Sequence, residues 1–394
     1  MKKLLFITPR VPIPAISGGL IGTLHSLKYL CKNFKVDYIS FYNEDEHNIN
    51  KIEKELKLIG INKVYLINFV TKQRNLTNIL AAIQNNLPLS IFRNKSEEMY
   101  KQVKQIANEY DIIYSDHWLS MQFIPDDYPK TVILKEHNAE YVMWERLEKQ
   151  ERNLIKKVYL KQEVKKIKNY ECKICNRATK VLTVTEEDKN HLFRIGVPKQ
   201  KISMLPAIII NNNPTNTTPF AERENSIMYV GTMSWDANID GLSYFLRNIY
   251  PDIKKHIPNI KFYIIGKNPP ELIKRYSYSD PSIIITGFVE DLKEYYNKCK
   301  LFIVYLRYGS GIKIKILETL AMGLPVISNN IGLEGIKTKA TIKCKTDIDF
   351  ANQIISLLKD KNKLEQMSKY AYSYIEKNYS EELYNKFFNM LQQT

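Results

Sequence analysis

The sequence predicts an α/β protein built on two doubly wound parallel sheets, each belonging to its own domain. Three observations carry that expectation. Short β-rich runs alternate with helix-length segments from end to end, a polar break interrupts the alternation near the middle, and 394 residues exceed one ordinary core. Hydrophobic residues make up 44% of the chain and charged residues 25%, values that exclude wholesale disorder and collagen-like structure. The longest apolar runs, such as Leu301–Leu306, are strand-sized and well short of the roughly 18 residues of a spanning helix.

Taken in chain order, the opening run Met1–Ile7 resembles the start of a signal peptide until Thr8-Pro9-Arg10 cuts it short, so it reads as a first buried strand of a cytoplasmic protein. Strands are then expected at Leu4–Thr8, Val36–Phe41, Val64–Asn68, Ile112–Ser115, Thr131–Lys135 and Val181–Val184. After the break they resume at Ile227–Gly231, Lys261–Ile265, Ile283–Thr286, Leu301–Tyr305 and Pro325–Ser328. Helical patterns fall between them, among others at Leu20–Lys32, Ile239–Ile249, Gly311–Met322 and Phe350–Leu358. Such alternation implies parallel strands with helices on both faces, and eleven strands divide best into two sheets of five or six. The break itself, Asn211-Asn212-Asn213-Pro214-Thr215-Asn216-Thr217-Thr218-Pro219, has two prolines and no periodicity. Domains are accordingly expected over 1–206 and 226–379, joined by a linker at 207–225, with a last helix in 380–394 crossing back to the first domain.

The formal net charge is +16, which favours anionic partners, and it is unevenly spread. Residues 146–180 hold twelve basic and four acidic side chains, with Leu154, Val158, Leu160, Val164 and Ile167 recurring near helical spacing. Two readings stand open: a surface helix with a solvated lysine face, or a peripheral contact with an anionic membrane on its cytoplasmic side. Nucleic acid is not expected, because no recognition motif accompanies the charge. Five cysteines are too few for a disulfide scaffold, and Cys172-x-x-Cys175 lies in a helical pattern with no second pair or nearby His, so no metal site is expected.

Doubly wound sheets bind ligands beyond the carboxyl ends of their strands. Four strand-to-helix turns therefore matter. Ser17-Gly18-Gly19 precedes a helix whose start offers free N–H groups, although paired glycines also suit a loop needing positive φ. His137, in Glu136-His137-Asn138, follows a strand and suits a sugar hydroxyl or a departing group, or else serves as a cap. In Gly231-Thr232-Met233-Ser234-Trp235-Asp236-Ala237-Asn238, Gly231 permits close backbone approach, while Asp236 or Asn238 suits an N-cap. The fourth turn, Gly309-Ser310-Gly311-Ile312-Lys313-Ile314-Lys315-Ile316-Leu317-Glu318, opens an apolar helix without a carboxylate at its start. Charges on such a helix are costly unless partnered. Either Lys315 and Glu318 pair with each other, or Lys313 and Lys315 take phosphates while Glu318 takes a cis-diol. A nucleoside diphosphate meets both needs.

At these residues the chain resembles the GT-B-fold glycosyltransferases of the large retaining family 4, the glycosyl transferases group 1, and is most similar to bacterial members that build surface polysaccharides. Residues 309–328 resemble that family's donor-site helix, and Val230–Leu242 resembles the opening of its second domain. Pro9-Arg10-Val11-Pro12-Ile13-Pro14, Gly18-Gly19 and Glu136–Glu140 also match.

The resemblance implies two Rossmann-like domains facing across a cleft. It also implies transfer of a sugar, with retention, from a nucleotide-diphosphate donor to a glycan or lipid-linked glycan, with no metal or other cofactor. Carried over by position, Glu318 binds the ribose, Lys313 and Lys315 the diphosphate, and His137 faces the sugar. Gly18, Gly19, Gly231, Thr232, Ser310, Gly311 and Ile312 line the donor, with Gly287-Phe288-Val289 beside the base through its backbone. Two departures stand out: Ser310 occupies the position of the family's first acid, and Thr232 and Ala237 stand near an expected Arg and Lys. The competing classes are a sugar-nucleotide epimerase of the same plan, a non-catalytic nucleotide-sugar binder and a basic nucleic-acid binder.

Overall fold

The structure, a computed structural model, describes the chain except residues 16, 46, 208, 210–217, 234, 381, 383 and 386–394. Most of the expected final helix, and the centre of the expected linker, lie outside the described residues. The chain divides into two compact units, Met1–Pro206 and Ala207–Thr394.

The first unit holds a seven-stranded sheet: β1 (Lys3–Thr8), β2 (Lys35–Tyr42), β3 (Lys63–Asn68), β4 (Ile112–Ser115), β5 (Thr131–Glu136), β6 (Lys180–Thr183) and β7 (Ile202–Met204). All pairings are parallel, in the order β3-β2-β1-β4-β5-β6-β7. The second unit has six strands: β8 (Ser226–Val230), β9 (Lys261–Ile265), β10 (Ile283–Gly287), β11 (Leu301–Val304), β12 (Val326–Asn329) and β13 (Thr341–Cys344). These too are all parallel, in the order β10-β9-β8-β11-β12-β13. The described residues form thirteen strands, not eleven. The two unforeseen strands, β7 and β13, are sheet edges of three and four residues, whose Ile-Ser-Met and Thr-Ile-Lys-Cys sequences carry no sustained apolar run.

Helices pack on both faces of each sheet, so central strands are apolar throughout: Leu4, Leu5, Phe6 and Ile7 of β1 are wholly buried, as are Leu301, Phe302, Ile303 and Val304 of β11. In each sheet the chain order reverses beside the first strand of the unit, between β1 and β4 and between β8 and β11. The carboxyl ends of those pairs are where a doubly wound sheet opens a crevice.

The lysine-rich region forms two helices, Glu140–Gln150 and Leu154–Arg177, packed on each other. Only part of the expected apolar stripe meets the core. Leu160, Val164 and Ile167 are buried, whereas Leu154 and Val158 stand in solvent. The helix instead buries Glu163 and Glu171, and Glu171 accepts the N–H groups of Glu140 and Tyr141 at 2.7 and 3.1 Å, capping the neighbouring helix. Cys175 is buried with its thiol pushed well up by burial and by Glu136, a state in which it is unreactive.

In the second unit the helix Asp236–Asn248 is held close to the end of β11. A Cβ on Gly241 would fall 2.0 Å from the carbonyl oxygen of Tyr305, a contact no flexible side chain can relieve. Gly241→Ala is expected to cost about 3 kcal/mol in chemical denaturation, since backbone must move. Gly22→Ala, whose Cβ meets nothing within 4 Å, should stabilise its helix by up to about 1 kcal/mol.

Candidate functional site

Two constellations occupy the two reversal points, each within its own unit. In the second unit, Gly231, Gly266 and Gly287 stand side by side where β8, β9 and β10 end. The Gly231 N–H donates to Ile265 O at 3.0 Å, and that of Gly266 to Gly287 O at 2.9 Å. A Cβ on Gly231 would lie 2.5 Å from the Tyr229 hydroxyl, so glycine here makes room for that ring. The Lys315 ammonium sits 4.4 Å from the centre of the same ring. It donates to Tyr229 Oη at 3.3 Å and to Asn238 Oδ1 at 3.1 Å. Asn238 in turn donates to Thr232 O at 2.9 Å. Neither Asp236 nor Asn238 is the N-cap of its helix, which is Trp235. Asn238 orients Lys315 instead.

Burial first, and the nearby Lys313 ammonium second, lower Lys315 from 10.5 to about 7. Burial raises Glu318 from 4.5 to about 7. Among the described residues, the Glu318 carboxyl has no hydrogen bond or ion pair, and it does not pair with Lys315. The internal-pair reading of these two residues is therefore excluded.

The glycine-rich turn takes φ +134° at Gly309 and +70° at Gly311, values that a side chain would strain. The helix that follows begins at Ile314, three residues later than expected, because Lys313 is its cap position and is extended. The Lys313 ammonium donates to Ser310 O at 3.1 Å and to Gly311 O, and the side chain is buried. These bonds shape the turn. No side chain caps this helix and no acid lies in its first turn, so its leading N–H groups offer themselves to an anion. Ser310 and Ile312 are partly exposed on the turn. Beyond Gly287, whose φ is +73°, Phe288 is exposed and Val289 half-buried.

In the first unit the centre is Asp116, which the sequence reading passed over. It follows β4, it is wholly buried, and its N–H donates to Ile7 O of β1 at 2.8 Å. Its carboxylate accepts from Thr23 Oγ1, and it lies 3.4 Å from Lys135 Nζ and 3.3 Å from His137 Nε2. Burial pushes the Asp116 carboxyl up, but Lys135, His137 and Thr23 together hold it well below the usual carboxylate range. Lys135 also donates to Ser26 Oγ at 2.6 Å and Gly22 O at 3.2 Å. His137 is fixed from two further sides. A Cβ on Gly19 would stand 3.6 Å from its Nδ1, and the His117 ring packs edge-on at 5.4 Å. His117 holds φ +149°, accepts the Leu119 N–H at 3.2 Å, and is lowered to about 3 by burial and then by His137. Gly18 and Gly19 open the helix Gly18–Asn33, whose Ser17 side chain accepts the Leu20 N–H at 3.5 Å. The missed signal was the polar run Ser115-Asp116-His117 at the end of an apolar strand.

Two outcomes follow from these charges. The unfolded chain holds the Lys315 proton up to 10.5 and the folded chain only to about 7, so its penalty is full below pH 7 and fades as pH rises to 10.5. Lys315→Met should thus raise the melting temperature by about 2–4 °C at mildly acidic pH and less in alkali, while weakening pyrophosphate binding at least about tenfold. Asp116 works in the opposite sense. Its lowered carboxyl stabilises the fold above 3.8, and that contribution is lost as pH falls further. Asp116→Asn should cost about 3 kcal/mol in urea denaturation at neutral pH, the gap closing in strong acid.

Residues 224–360 match the model of the family described as glycosyl transferases group 1. An uncharacterised 44.6 kDa protein in the cps region of Klebsiella pneumoniae is 25% identical over 392 residues, covering 96% of this chain and 97% of that one. Among solved structures, Anabaena HepE in complex with UDP and glucose is similar along the whole of both chains, with TM-score 0.69 and 12% identity. A point mutant of S. aureus TarM, solved with fondaparinux, α-GlcNAc-glycerol and UDP, matches over 99% of each chain with TM-score 0.68 and 13% identity. The second unit thus carries the signature of the glycosyl transferases group 1, and the whole chain has the fold of solved GT-B glycosyltransferases.

Proposed function

We propose that the chain, as a retaining member of family 4, transfers a sugar from a uridine-diphosphate sugar to a hydroxyl of a glycan or lipid-linked glycan, without a metal, in building a cell-surface polysaccharide. The observation that carries this reading is the half-buried ammonium of Lys315 beside an uncapped helix start, with an unpaired carboxyl one turn further along. A diphosphate and a vicinal diol are the two groups that such an arrangement lacks. The UDP in the complexes of HepE and TarM supports the choice of base, and the cps-region relative supports the pathway.

The roles follow from the chemistry. Breaking the anomeric C–O bond builds positive charge on the sugar ring and negative charge on the departing phosphate. Lys315, recharged by the incoming diphosphate, and the N–H groups at the helix start stabilise that phosphate. Glu318, ionised above pH 7, accepts from the ribose hydroxyls. Lys313 and the glycines at 309 and 311 hold the turn open for the donor, with Ser310, Gly311 and Ile312 alongside. Gly231, Thr232 and the Gly287-Phe288-Val289 backbone line the nucleotide. His137, oriented by Asp116, acts on the sugar being moved, with Gly18 and Gly19 at the helix start beside it.

An assay for UDP release from a panel of UDP-sugars, with capsular or lipid-linked oligosaccharide acceptors, tests this. Release should require an acceptor, persist in EDTA, and yield a product with the donor's anomeric configuration by NMR. Lys315→Ala should lower kcat by about 10²–10³. An epimerised donor with no acceptor product, or donor binding without any turnover, would select one of the competing classes instead.

A further inference from the structure

The first unit exposes apolar side chains on two neighbouring helices. On Leu76–Gln84, Leu76, Leu80 and Ile83 recur at i, i+4 and i+7 on one face, while Ala82 points inward. On Leu154–Arg177, Leu154, Ile155 and Val158 occupy the first turn and a half. All six are between 50% and 84% exposed. Residues flanking the first helix meet the second helix and the helix before it. Arg74 lies 5.7 Å from the ring centre of Trp144, Lys166 Nζ donates to Leu87 O at 3.0 Å, and Leu89 N donates to the buried Glu163. These contacts bring six large exposed apolar side chains to one region of the unit's surface, more than soluble surfaces commonly leave bare.

The charges in these segments are mostly positive. The segment 70–84 carries Lys72 and Arg74 and no acid, and Lys149, Arg152, Lys156, Lys157 and Lys161 follow on the second segment against Glu148 and Glu151. Glu163, the next acid along, is turned into the core and paired with Lys166 at 2.7 Å. Lysine and arginine stems lie well along leucine and isoleucine while their heads reach a phosphate layer. No helix among the described residues is long and apolar enough to cross a membrane.

We propose that this face docks on the anionic surface of a lipid bilayer, with Leu76, Leu80, Ile83, Leu154, Ile155 and Val158 entering at headgroup level and the surrounding cations meeting lipid phosphates. The apolar residues supply insertion and the cations supply selectivity for anionic lipid. The inference deepens the proposal of a lipid-linked acceptor, because it names the surface that brings the enzyme to one. It rests on the charge and the patch alone, so it stands or falls separately from the transfer reaction.

Vesicle flotation with the full chain, without donor or acceptor, tests it. Vesicles of phosphatidylcholine with about one-third phosphatidylglycerol should bind at least about tenfold more tightly than phosphatidylcholine alone, and the difference should shrink at high salt. Each basic side chain removed should cost about fivefold in partitioning, so Lys156→Glu with Lys157→Glu should lose at least about 25-fold. Leu154→Ser with Ile155→Ser should weaken binding at unchanged charge. None of the four positions is buried, so melting temperature and UDP release onto a soluble acceptor should match the parent in both double variants. Equal binding to neutral vesicles, or variants that float like the parent, would overturn the proposal. A dimer in sedimentation velocity that the same variants dissolve would also overturn it, by assigning the face to a second copy of the chain.

Discussion

The second unit turns on an ammonium group placed where water can scarcely reach it. Lys315 is held by a phenol ring and a side-chain amide, both neutral, and no carboxylate among the described residues compensates its charge. A folded protein tolerates such a group only at some loss of stability, which a bound anion restores. Several otherwise separate features serve this placement. Gly231 leaves space for the Tyr229 ring, Gly241 brings the helix bearing Asn238 against β11, and the turn at 309–311 delays the helix start until Ile314.

The first unit solves a similar problem with the opposite sign. Asp116 is a fully buried carboxylate, yet it is surrounded by Lys135, His137 and Thr23, so it stays ionised and rigid. Buried charge of this kind gives little net stability compared with an apolar replacement, but it fixes the direction in which an imidazole points. Both centres stand where the strand order of their sheet reverses, which is the place a doubly wound topology reserves for chemistry.

Much of this was legible in the residues themselves. Central strands such as β1 and β11 are buried on both faces, so their sequences are unbroken apolar runs and their limits were readable to within a residue or two. The edges β7 and β13 were not, because one side of each meets no strand and polar residues suffice there. Lys315 and Glu318 stood out as charges on an apolar helix, a local contradiction visible in the residues alone. Asp116 did not stand out, since its partners lie 93 and 19 to 21 positions away and only the sheet brings them together. Lys313 showed one limit of reading charge alone: its hydrogen bonds to the carbonyls of Ser310 and Gly311 shape the turn, a role its sequence neighbours did not suggest. The lysine-rich helix showed another, for apolar spacing there concealed two side chains, Leu154 and Val158, that never reach a core.

The three adjoining strand ends at Gly231, Gly266 and Gly287 carry a last consequence. With no side chains there, a flat molecule lying over them meets bare peptide groups, and discrimination among such molecules would come from main-chain shape. A single residue exchange offers no simple way to reprogram that choice. Changing it would mean rebuilding the loop after Gly287, so selectivity in this lineage should drift through insertions and deletions more readily than through point changes.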